Sequence, residues 1–401
     1  MNSILTDTEL EKRFIEATDL HQQGKIEEAC LIYLELHDMV EESPLINYNL
    51  GLALFELCRY RESCLYYRQA LQYAPDQVDI LYNLALSHQK GGEFGQAVEI
   101  YTQALGVSPR DVDCLYNLAC CYMDMQDDDE AITTYRQVLD IDHRHLGSLS
   151  NAAFVYHRNG QYDQAAIYYT RLLDLAPDHQ AARHMLDSLE GVSRQSPPAE
   201  YIRDMFDNYS ARYDDSLVTE LEYTAPAIMR EKVDSEMTLP LHSALGLDLG
   251  CGTGLSGLAF SSLCKTLTGV DISPKMVEIA GGKKIYSSLY VAEILEYLLA
   301  CQEKYSLVIA ADVFGYVGRL DEVFFALSRV VLPQACFCFS TENTDKVDYL
   351  LRKTGRFAHS TEYIENLCGR TGWRLITHAP VNLRREKNDW IDGNVYIVVK
   401  K

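Results

Sequence analysis

The feature that most constrains this chain is a spacing of 34 residues that recurs through its first half. Tyrosines repeat at this step, as Tyr33, Tyr67, Tyr101, Tyr135 and Tyr169. Small residues repeat at the same step in two series, which are Ala17, Gly51, Ala85, Ala119 and Ala153, and Ala29, Ser63, Ala97, Ala131 and Ala165. A fixed period of this length predicts equal structural units that stack on their neighbours and bury one continuous core.

The pattern within each unit resembles the tetratricopeptide repeat, which is a helical hairpin. Small residues at the eighth and twentieth positions let the paired helices approach closely, and the tyrosine fills the gap between successive hairpins. Glycines that fit the turns lie at Gly24, Gly91, Gly92 and Gly160. About five repeats would cover residues 10–177, with a capping helix at 178–190. We therefore expect an all-α tetratricopeptide superhelix over residues 1–190.

A ladder of asparagines runs through the repeats in phase, as Asn49, Asn83, Asn117 and Asn151. The resemblance to tetratricopeptide repeats places them on the concave surface, the usual peptide-binding side. Amide side chains both donate and accept hydrogen bonds, so a row of them is suited to clamp an extended peptide backbone. We expect a protein or peptide partner on this surface.

Length and charge point to two domains with different properties. A chain of 401 residues exceeds what one hydrophobic core normally covers. Residues 191–200 break the repeat period and carry a double proline, which indicates a semi-rigid linker before a second domain at 201–401. The net charge is -22, and residues 1–190 hold 31 acidic against 13 basic side chains. Such acidity repels phosphate backbones, so we expect no nucleic-acid partner.

Targeting and metal signals are weak in this sequence. No apolar run approaches the roughly 18 residues of a membrane span, and the first residues lack the basic-then-apolar order of a signal peptide. We therefore expect a cytoplasmic chain without a membrane partner. The 12 cysteines include no C-x-x-C pair, so reduced thiols are favoured over disulfides or zinc, and we expect no metal site.

The second half is organised around a glycine-rich stretch at 245–257, which reads Leu-Gly-Leu-Asp-Leu-Gly-Cys-Gly-Thr-Gly-Leu-Ser-Gly. The leucines predict a buried strand, and the glycines let the backbone turn sharply and approach a ligand at the start of a helix. Asp271 closes the next apolar run, at the distance at which a βαβ unit places a carboxylate on ribose hydroxyls. The same glycines also satisfy the fingerprint of dinucleotide-binding enzymes.

Asp248 distinguishes these two possibilities, because a carboxylate just before the first glycine would repel a pyrophosphate and attract an ammonium group. The run Leu-Asp-Leu-Gly-Cys-Gly-Thr-Gly, with Gly-Val-Asp-Ile-Ser downstream, closely resembles the first two motifs of class I S-adenosylmethionine-dependent methyltransferases. That resemblance implies an α/β Rossmann-like fold and S-adenosyl-L-methionine as the cofactor. A strand-to-helix turn without a ligand is the alternative.

The methyltransferase resemblance assigns residues to each part of the cofactor. It places the methionine half against Asp248, Gly250, Cys251, Gly252 and Gly254, and the ribose on Asp271. It places apolar side chains and a carboxylate around the adenine, as Ile272, Met276, Ala292 and Glu293. The segment 201–215 resembles a lid that folds over the cofactor in many small-molecule methyltransferases, with Tyr209 and Tyr213 as contacts. An amphipathic helix packed on the sheet explains each tyrosine equally well.

Later strands are predicted at 288–292, 306–310 and 336–340, with a closing hairpin between Trp373 and Val399. The strand that ends at 310 borders the transferred methyl group in this fold, so Asp312 is assigned both to the cofactor and to catalysis. His359 titrates near neutral pH and is the candidate general base, with Glu342 or Asp312 holding it or the substrate. A buried, hydrogen-bonded structural histidine is the alternative for His359.

The whole chain resembles a bacterial family of predicted methyltransferases fused to tetratricopeptide repeats, on the residues Arg-Phe-Ala-His-Ser near 356 and Asp-Val-Phe-Gly-Tyr-Val-Gly near 312. We therefore expect a methyltransferase that acts on a small molecule or a protein side chain, with a repeat arm that recruits a protein. The alternative is an interaction scaffold whose Rossmann-like domain binds cofactor without turnover.

Overall fold

A computed structural model of the chain describes residues 7–192, 196–209, 223–240, 242–346, 348–386 and 389–401. The chain divides into two compact units, Met1–Pro177 and Asp178–Lys401. The first unit is all α-helical and the second contains a mixed sheet, which confirms the predicted fold classes. Among the described residues, no helix combines the length and the apolar character that a membrane crossing requires.

The first unit consists of helical hairpins. Its described helices are α1 (Asp7–Gln22), α2 (Ile26–Met39), α3 (Pro44–Glu56), α4 (Tyr60–Tyr73), α5 (Val78–Lys90), α6 (Phe94–Val107), α7 (Val112–Asp124), α8 (Asp128–Ile141), α9 (Leu146–Arg158) and α10 (Tyr162–Leu175). Tyr33, Tyr67, Tyr101 and Tyr135 are fully buried. The periodic tyrosines and small residues therefore build the core, as the spacing predicted.

The second unit begins with helices and continues into the sheet. Its described helices are α11 (Gln180–Glu190), α12 (Ala199–Tyr209), α13 (Ala225–Glu236), α14 (Leu255–Phe260), α15 (Pro274–Gly282), α16 (Ile294–Ala300), α17 (Asp321–Arg329) and α18 (Thr361–Thr371). The division into units falls at Pro177, ahead of the domain boundary expected at Glu190. The reason is that α11 packs on the second unit, where His184 Nε2 lies 2.9 Å from the carbonyl oxygen of Gly355.

Nine strands form one sheet, with the order β3-β2-β1-β4-β5-β7-β6 and with β9 paired to β5 and β8. The strands are β1 (Ala244–Leu249), β2 (Cys264–Asp271), β3 (Ser288–Val291), β4 (Tyr305–Ala310), β5 (Val331–Asn343), β6 (Tyr349–Leu351), β7 (Phe357–His359), β8 (Trp373–Glu386) and β9 (Asp389–Lys400). Strands β1 to β5 are parallel, and β9 runs antiparallel to β5. The strand order reverses between β1 and β4, which is where open α/β sheets bind ligands.

Side chains of the central strands alternate between two apolar cores, one on each face of the sheet. In β4, Val308 and Ala310 belong to one core, and Leu307 and Ile309 belong to the other. The first core also holds a stacked aromatic pair, Phe337 and Phe339, with ring centroids 4.6 Å apart. Burial on both faces explains why these strands appear in the sequence as continuous apolar runs. Because β1 to β5 run parallel, their carboxyl ends lie at one edge of the sheet.

Candidate active site

The glycine turn lies between β1 and α14. Gly250, Gly252 and Gly254 have φ angles of +63°, +52° and +97°, which are in the left-handed region that residues with side chains rarely adopt. Cys251 is buried, and its backbone N–H donates to the carbonyl oxygen of Val270 in β2. A small cavity above the turn is lined by Tyr223, Gly250, Cys251, Gly252, Thr253, Leu255, Ser256 and Ala311. The turn therefore presents backbone to a cavity at the sheet edge.

Asp271, the last residue of β2, is tied to this turn. Its Oδ2 accepts from the backbone N–H of Gly252 at 2.8 Å, and its Oδ1 accepts from that of Ser273 at 2.9 Å. Burial raises the pKa of this carboxyl group, although the backbone hydrogen bonds oppose that effect. A carboxylate has about four lone-pair sites, so these two bonds leave acceptor capacity for ligand hydroxyls.

Asp248 is not among the residues that line this cavity, and its contact with a ligand ammonium group stays a prediction. The residue is fully buried, and its Oδ2 accepts from Ser256 Oγ and from the hydroxyl of Tyr286, both at 2.7 Å. Burial raises the pKa of this carboxyl group to about 7. Asp248 is therefore an internal support of the glycine turn.

The residues assigned to the adenine follow β2 and β3 at the same sheet edge. Met276 is buried in α15, and its backbone N–H donates to Ser273 Oγ at 3.1 Å. Ala292 donates its N–H to the carbonyl oxygen of Asp271 at 2.9 Å. Ile272, which follows Asp271 in the chain, is half-buried. Glu293 caps α16, because its Oε2 accepts from the N–H of Glu296 at 3.0 Å. The structure thus brings all four predicted residues near Asp271.

Helix α12 covers this edge of the sheet. Asp207 accepts a hydrogen bond from Ser273 Oγ, and its carbonyl oxygen accepts from Lys275 Nζ at 3.3 Å. The ring of Phe206 meets that of Tyr316 edge to face, with centroids 5.1 Å apart. These contacts agree with a lid over the ends of β2 and β4. Tyr213 lies outside the described residues, as does the side chain of Tyr209.

Asp312 is held at the end of β4 in an unusual conformation. Its φ is +57°, and its backbone N–H donates to Ser340 Oγ at 2.8 Å. Two guanidinium groups donate to its carboxylate, from Arg356 Nη2 at 2.6 Å and from Arg384 Nη1 at 3.1 Å. A non-glycine residue at positive φ persists only where its surroundings impose it, so these bonds fix the carboxylate beside the glycine turn.

The same two arginines hold Glu342 at the end of β5. Arg356 Nε and Arg384 Nη2 donate to its Oε1 at 2.6 Å and 2.8 Å. Burial favours the neutral acid, but the charges of the two arginines outweigh it and lower the pKa of Glu342 to about 2. Glu342 is thus ionised and paired at neutral pH. We name Asp312, Glu342, Arg356 and Arg384 the arginine–carboxylate quartet.

The quartet also reaches an aromatic ring, since the Arg356 guanidinium lies 4.3 Å from the ring centroid of Tyr316. Arg356 stands in the sequence within the Arg-Phe-Ala-His-Ser motif, and no motif marks Arg384. Partners of Arg384 lie 72 and 42 residues away in the sequence, and only the sheet topology brings them together. The sequence does contain one signal for a buried ion pair, which is a charged residue next to apolar residues that are buried, such as Arg356 before Phe357.

His359 does not occupy the position of a general base. Its side chain is fully buried in β7, and its Nε2 lies 2.7 Å from the carbonyl oxygen of Gly318. Burial lowers its pKa to about 4, so the imidazole is neutral near pH 7 and donates to Gly318. The alternative that it is a structural histidine describes what is observed.

The asparagine ladder is engaged between successive repeats. Asn83 Nδ2 donates to the hydroxyl of Tyr48 at 3.2 Å, and Asn117 Nδ2 donates to that of Tyr82 at 3.1 Å. The same amide groups also donate to carbonyl oxygens one turn earlier in their own helices. The expected clamp therefore has its N–H donors committed inside the protein, and the amide oxygens are the atoms left to meet a peptide.

Comparison with known proteins agrees with this architecture. Residues 247–339 match the family model described as a methyltransferase domain, and residues 111–178 match the tetratricopeptide repeat. Residues 58–138 match a model described as anaphase-promoting complex, cyclosome, subunit 3. The ubiquinone biosynthesis O-methyltransferase of Brucella ovis is 30% identical over 191 residues, which are 42% of this chain and 77% of the relative. The chain belongs to the methyltransferase family.

Other relatives of this repeat-containing methyltransferase match over shorter or more divergent regions. The ubiquinone biosynthesis O-methyltransferase of Thiobacillus denitrificans is 31% identical over 137 residues, and the chain spans only 56% of its length. The magnesium protoporphyrin IX methyltransferase of Synechocystis, solved with bound SAH, is 15% identical with a TM-score of 0.39 and covers 51% of this chain and 99% of its own. YrrB, described as a TPR protein with an unusual peptide-binding site, is 20% identical with a TM-score of 0.40. The match covers 43% of this chain and 89% of YrrB.

Proposed function

We propose that this chain is a class I methyltransferase that binds S-adenosyl-L-methionine at the glycine turn between β1 and α14. The observation that carries the proposal is the hydrogen bond between Asp271 and the N–H of Gly252, which ties a carboxylate to the bare backbone turn that lines the cavity. The cavity adjoins the reversal of strand order between β1 and β4. The membership in the methyltransferase family supports this cofactor over a dinucleotide.

The residues at the turn fit this cofactor. A side chain on Gly250 would lie 2.6 Å from Val313 Cγ2, so a bare backbone is required between the turn and β4. In the proposed complex, Gly250, Cys251, Gly252 and Gly254 face the amino-acid end, and the free lone pairs of Asp271 accept from the ribose hydroxyls. The cofactor supplies a methyl group on a sulfonium, which is transferred in line and therefore needs aligned partners.

We assign the acceptor to the end of β4, where Asp312 and Tyr316 lie. Asp312 has a 15% exposed side chain, and the quartet keeps it fixed. Helix α12 excludes water from this region through Phe206 and Asp207. We propose a small molecule or a protein side chain as acceptor, and the names of the Brucella and Thiobacillus relatives favour an oxygen atom. The quartet positions this acceptor, since two arginines hold both of its acids. Glu342, whose pKa is lowered to about 2 by those arginines, is a poor proton acceptor.

We propose that the first unit, Met1–Pro177, recruits a protein partner. Its asparagine oxygens recur once per repeat, a spacing that suits an extended peptide. A scaffold that binds cofactor without turnover is the second candidate, and it is favoured by one observation. His359, the predicted proton acceptor, is buried in β7 and hydrogen-bonded to the carbonyl oxygen of Gly318. Incubation of cell extracts with labelled methyl donor separates the two, since a scaffold transfers no label.

Titration calorimetry with S-adenosylmethionine, S-adenosylhomocysteine and NADH tests the cofactor assignment. We expect the first two to bind, and we expect Asp271→Asn to weaken them about 10-fold or more, as loss of hydrogen bonds to a charged group does. Asp234→Asn, at an exposed aspartate of α13, is the matched control and should bind normally. Preferential binding of NADH, or no binding by the unmutated chain, would reject the proposal.

A further inference from the structure

Tyr286 lies in the segment between α15 and β3, and its ring packs against three glycines from different elements. A Cβ on Gly257 would lie 2.5 Å from Cζ of Tyr286, and one on Gly269 would lie 2.9 Å from its Cδ1. A Cβ on Gly254 would lie 3.2 Å from its Cε2. Gly257 is therefore required by the tyrosine ring, in agreement with the packing role of the last glycine in the fingerprint. Gly269 is required by the same ring together with Leu289, whose Cδ2 would lie 2.7 Å from the added Cβ.

The Tyr286 hydroxyl is anchored on Asp248. It donates to Asp248 Oδ2 at 2.7 Å, and Ser256 Oγ donates to the same oxygen at 2.7 Å. Ser256 lies in the first turn of α14. Asp248 therefore connects β1 with the N-terminus of α14, where an acidic group is favoured by the helix dipole. The glycine turn is the segment held between these two points.

The charge state of Asp248 decides how well this connection holds. An ionised carboxylate accepts from Tyr286 and Ser256 at once, whereas a protonated one loses acceptor capacity. The other titratable groups whose charges act with that of Asp248 are Asp271, Cys251, Cys264 and Tyr286. Burial works against ionisation, and the hydrogen bonds from Tyr286 and Ser256 favour it.

We propose that Tyr286 is a positioning residue for the cofactor: its ring sets the spacing between the glycine turn and β2, and its hydroxyl fixes the Asp248 carboxylate that anchors α14. This inference rests on the proposed cofactor site. Tyr286 does not itself touch the cavity above the turn, whose lining is formed by other residues. Its effect on binding therefore passes through Asp248 and the turn.

The test measures S-adenosylhomocysteine binding to the full chain by calorimetry between pH 6 and pH 9. Tyr286→Phe keeps the ring and removes the donor. We expect weaker binding and a pH midpoint about one unit higher, the effect of one hydrogen bond to a charged group. Ser256→Ala removes the second donor and should shift the midpoint in the same direction. Tyr290→Phe, at an exposed tyrosine of β3, is the control and should change neither quantity.

The outcomes distinguish the inference from the proposed function. Weaker binding by Tyr286→Phe at every pH with an unmoved midpoint would show that only packing matters, and would overturn the role of the hydroxyl. Unchanged affinity and midpoint in both Tyr286→Phe and Ser256→Ala would overturn the whole inference. Failure of the unmutated chain to bind S-adenosylhomocysteine would instead reject the cofactor site. Melting temperatures recorded on each variant identify any loss of folding.

Discussion

Arg356 bridges the ends of two strands, because its Nη2 lies 2.6 Å from Asp312 Oδ1 while its Nε lies 2.6 Å from Glu342 Oε1. Both carboxylates would be costly in this buried setting without a guanidinium partner. Arg384 makes a second pair of contacts with the same acids. The geometry of the proposed acceptor site therefore depends on a charge-balanced quartet contributed by four separate segments of the sheet.

We expect Arg356→Ala to lower the free energy of unfolding by about 3–5 kcal/mol, because it leaves two buried carboxylates short of a partner. Arg352→Ala is the matched control, since Arg352 is 32% exposed and lies 3.6 Å from Glu342. Its loss should cost about 1 kcal/mol or less. Urea unfolding measures both. Equal losses in the two variants would show that the buried quartet contributes no more than a surface pair.

The burial of His359 predicts a distinct pH dependence of stability. Its pKa is lowered to about 4 in the folded protein, whereas an unfolded histidine titrates near 6.5. As the pH falls, His359 is therefore protonated in the unfolded chain before it is protonated in the folded protein. The stability that is present above pH 6.5 is lost as the pH falls towards 4. His359→Gln keeps a donor for Gly318 and should flatten this part of the curve. Urea unfolding between pH 4 and pH 7 provides the measurement, and an unchanged slope would contradict the assignment.

Asp248 should act in the opposite direction. Burial raises its pKa from 3.8 to about 7 in the folded protein, so folding favours the protonated acid. The contribution of Asp248 to the free energy of unfolding is fully present below pH 3.8 and is lost as the pH rises through 7. Asp248→Asn should remove this loss. The free energy of unfolding of the variant, measured relative to that of the original chain, should therefore be higher at pH 8 than at pH 5 by a few kcal/mol. If the difference between the variant and the original chain is the same at both pH values, the carboxyl group is not buried as described.

The sequence predicted those parts of the fold that follow from local periodicity. The tyrosine period fixed the hairpins, and the leucines and glycines at 245–257 indicated β1 and its turn, since burial on both sheet faces leaves continuous apolar runs. The strands β6 and β7 were not predicted, because three residues are too few to show an alternating pattern. His359 consequently lies in a strand that no sequence pattern predicted.

The candidate site was predicted unevenly for a related reason. Asp271 and the glycines belong to one βαβ unit, so their spacing along the chain predicts that they lie close together in the fold. The contact of Tyr286 with Asp248 and that of Arg384 with Asp312 span 38 and 72 residues. Such contacts depend on crossovers and on the direction in which a carboxylate points, and neither is encoded in residue spacing. Asp248 shows this, since its hydrogen bonds with Ser256 and Tyr286 were not predicted.

Strand β9 carries a consequence for biosynthesis. It pairs with β5 over the register Cys336 to Glu342, and it also supports β8, which supplies Arg384. During translation, β5 emerges from the ribosome well before its antiparallel neighbour, whereas each helical hairpin of the first unit has its contacts close by in the chain. The repeats are thus free to fold while synthesis continues, and the quartet can close only after residues 389–400 have emerged.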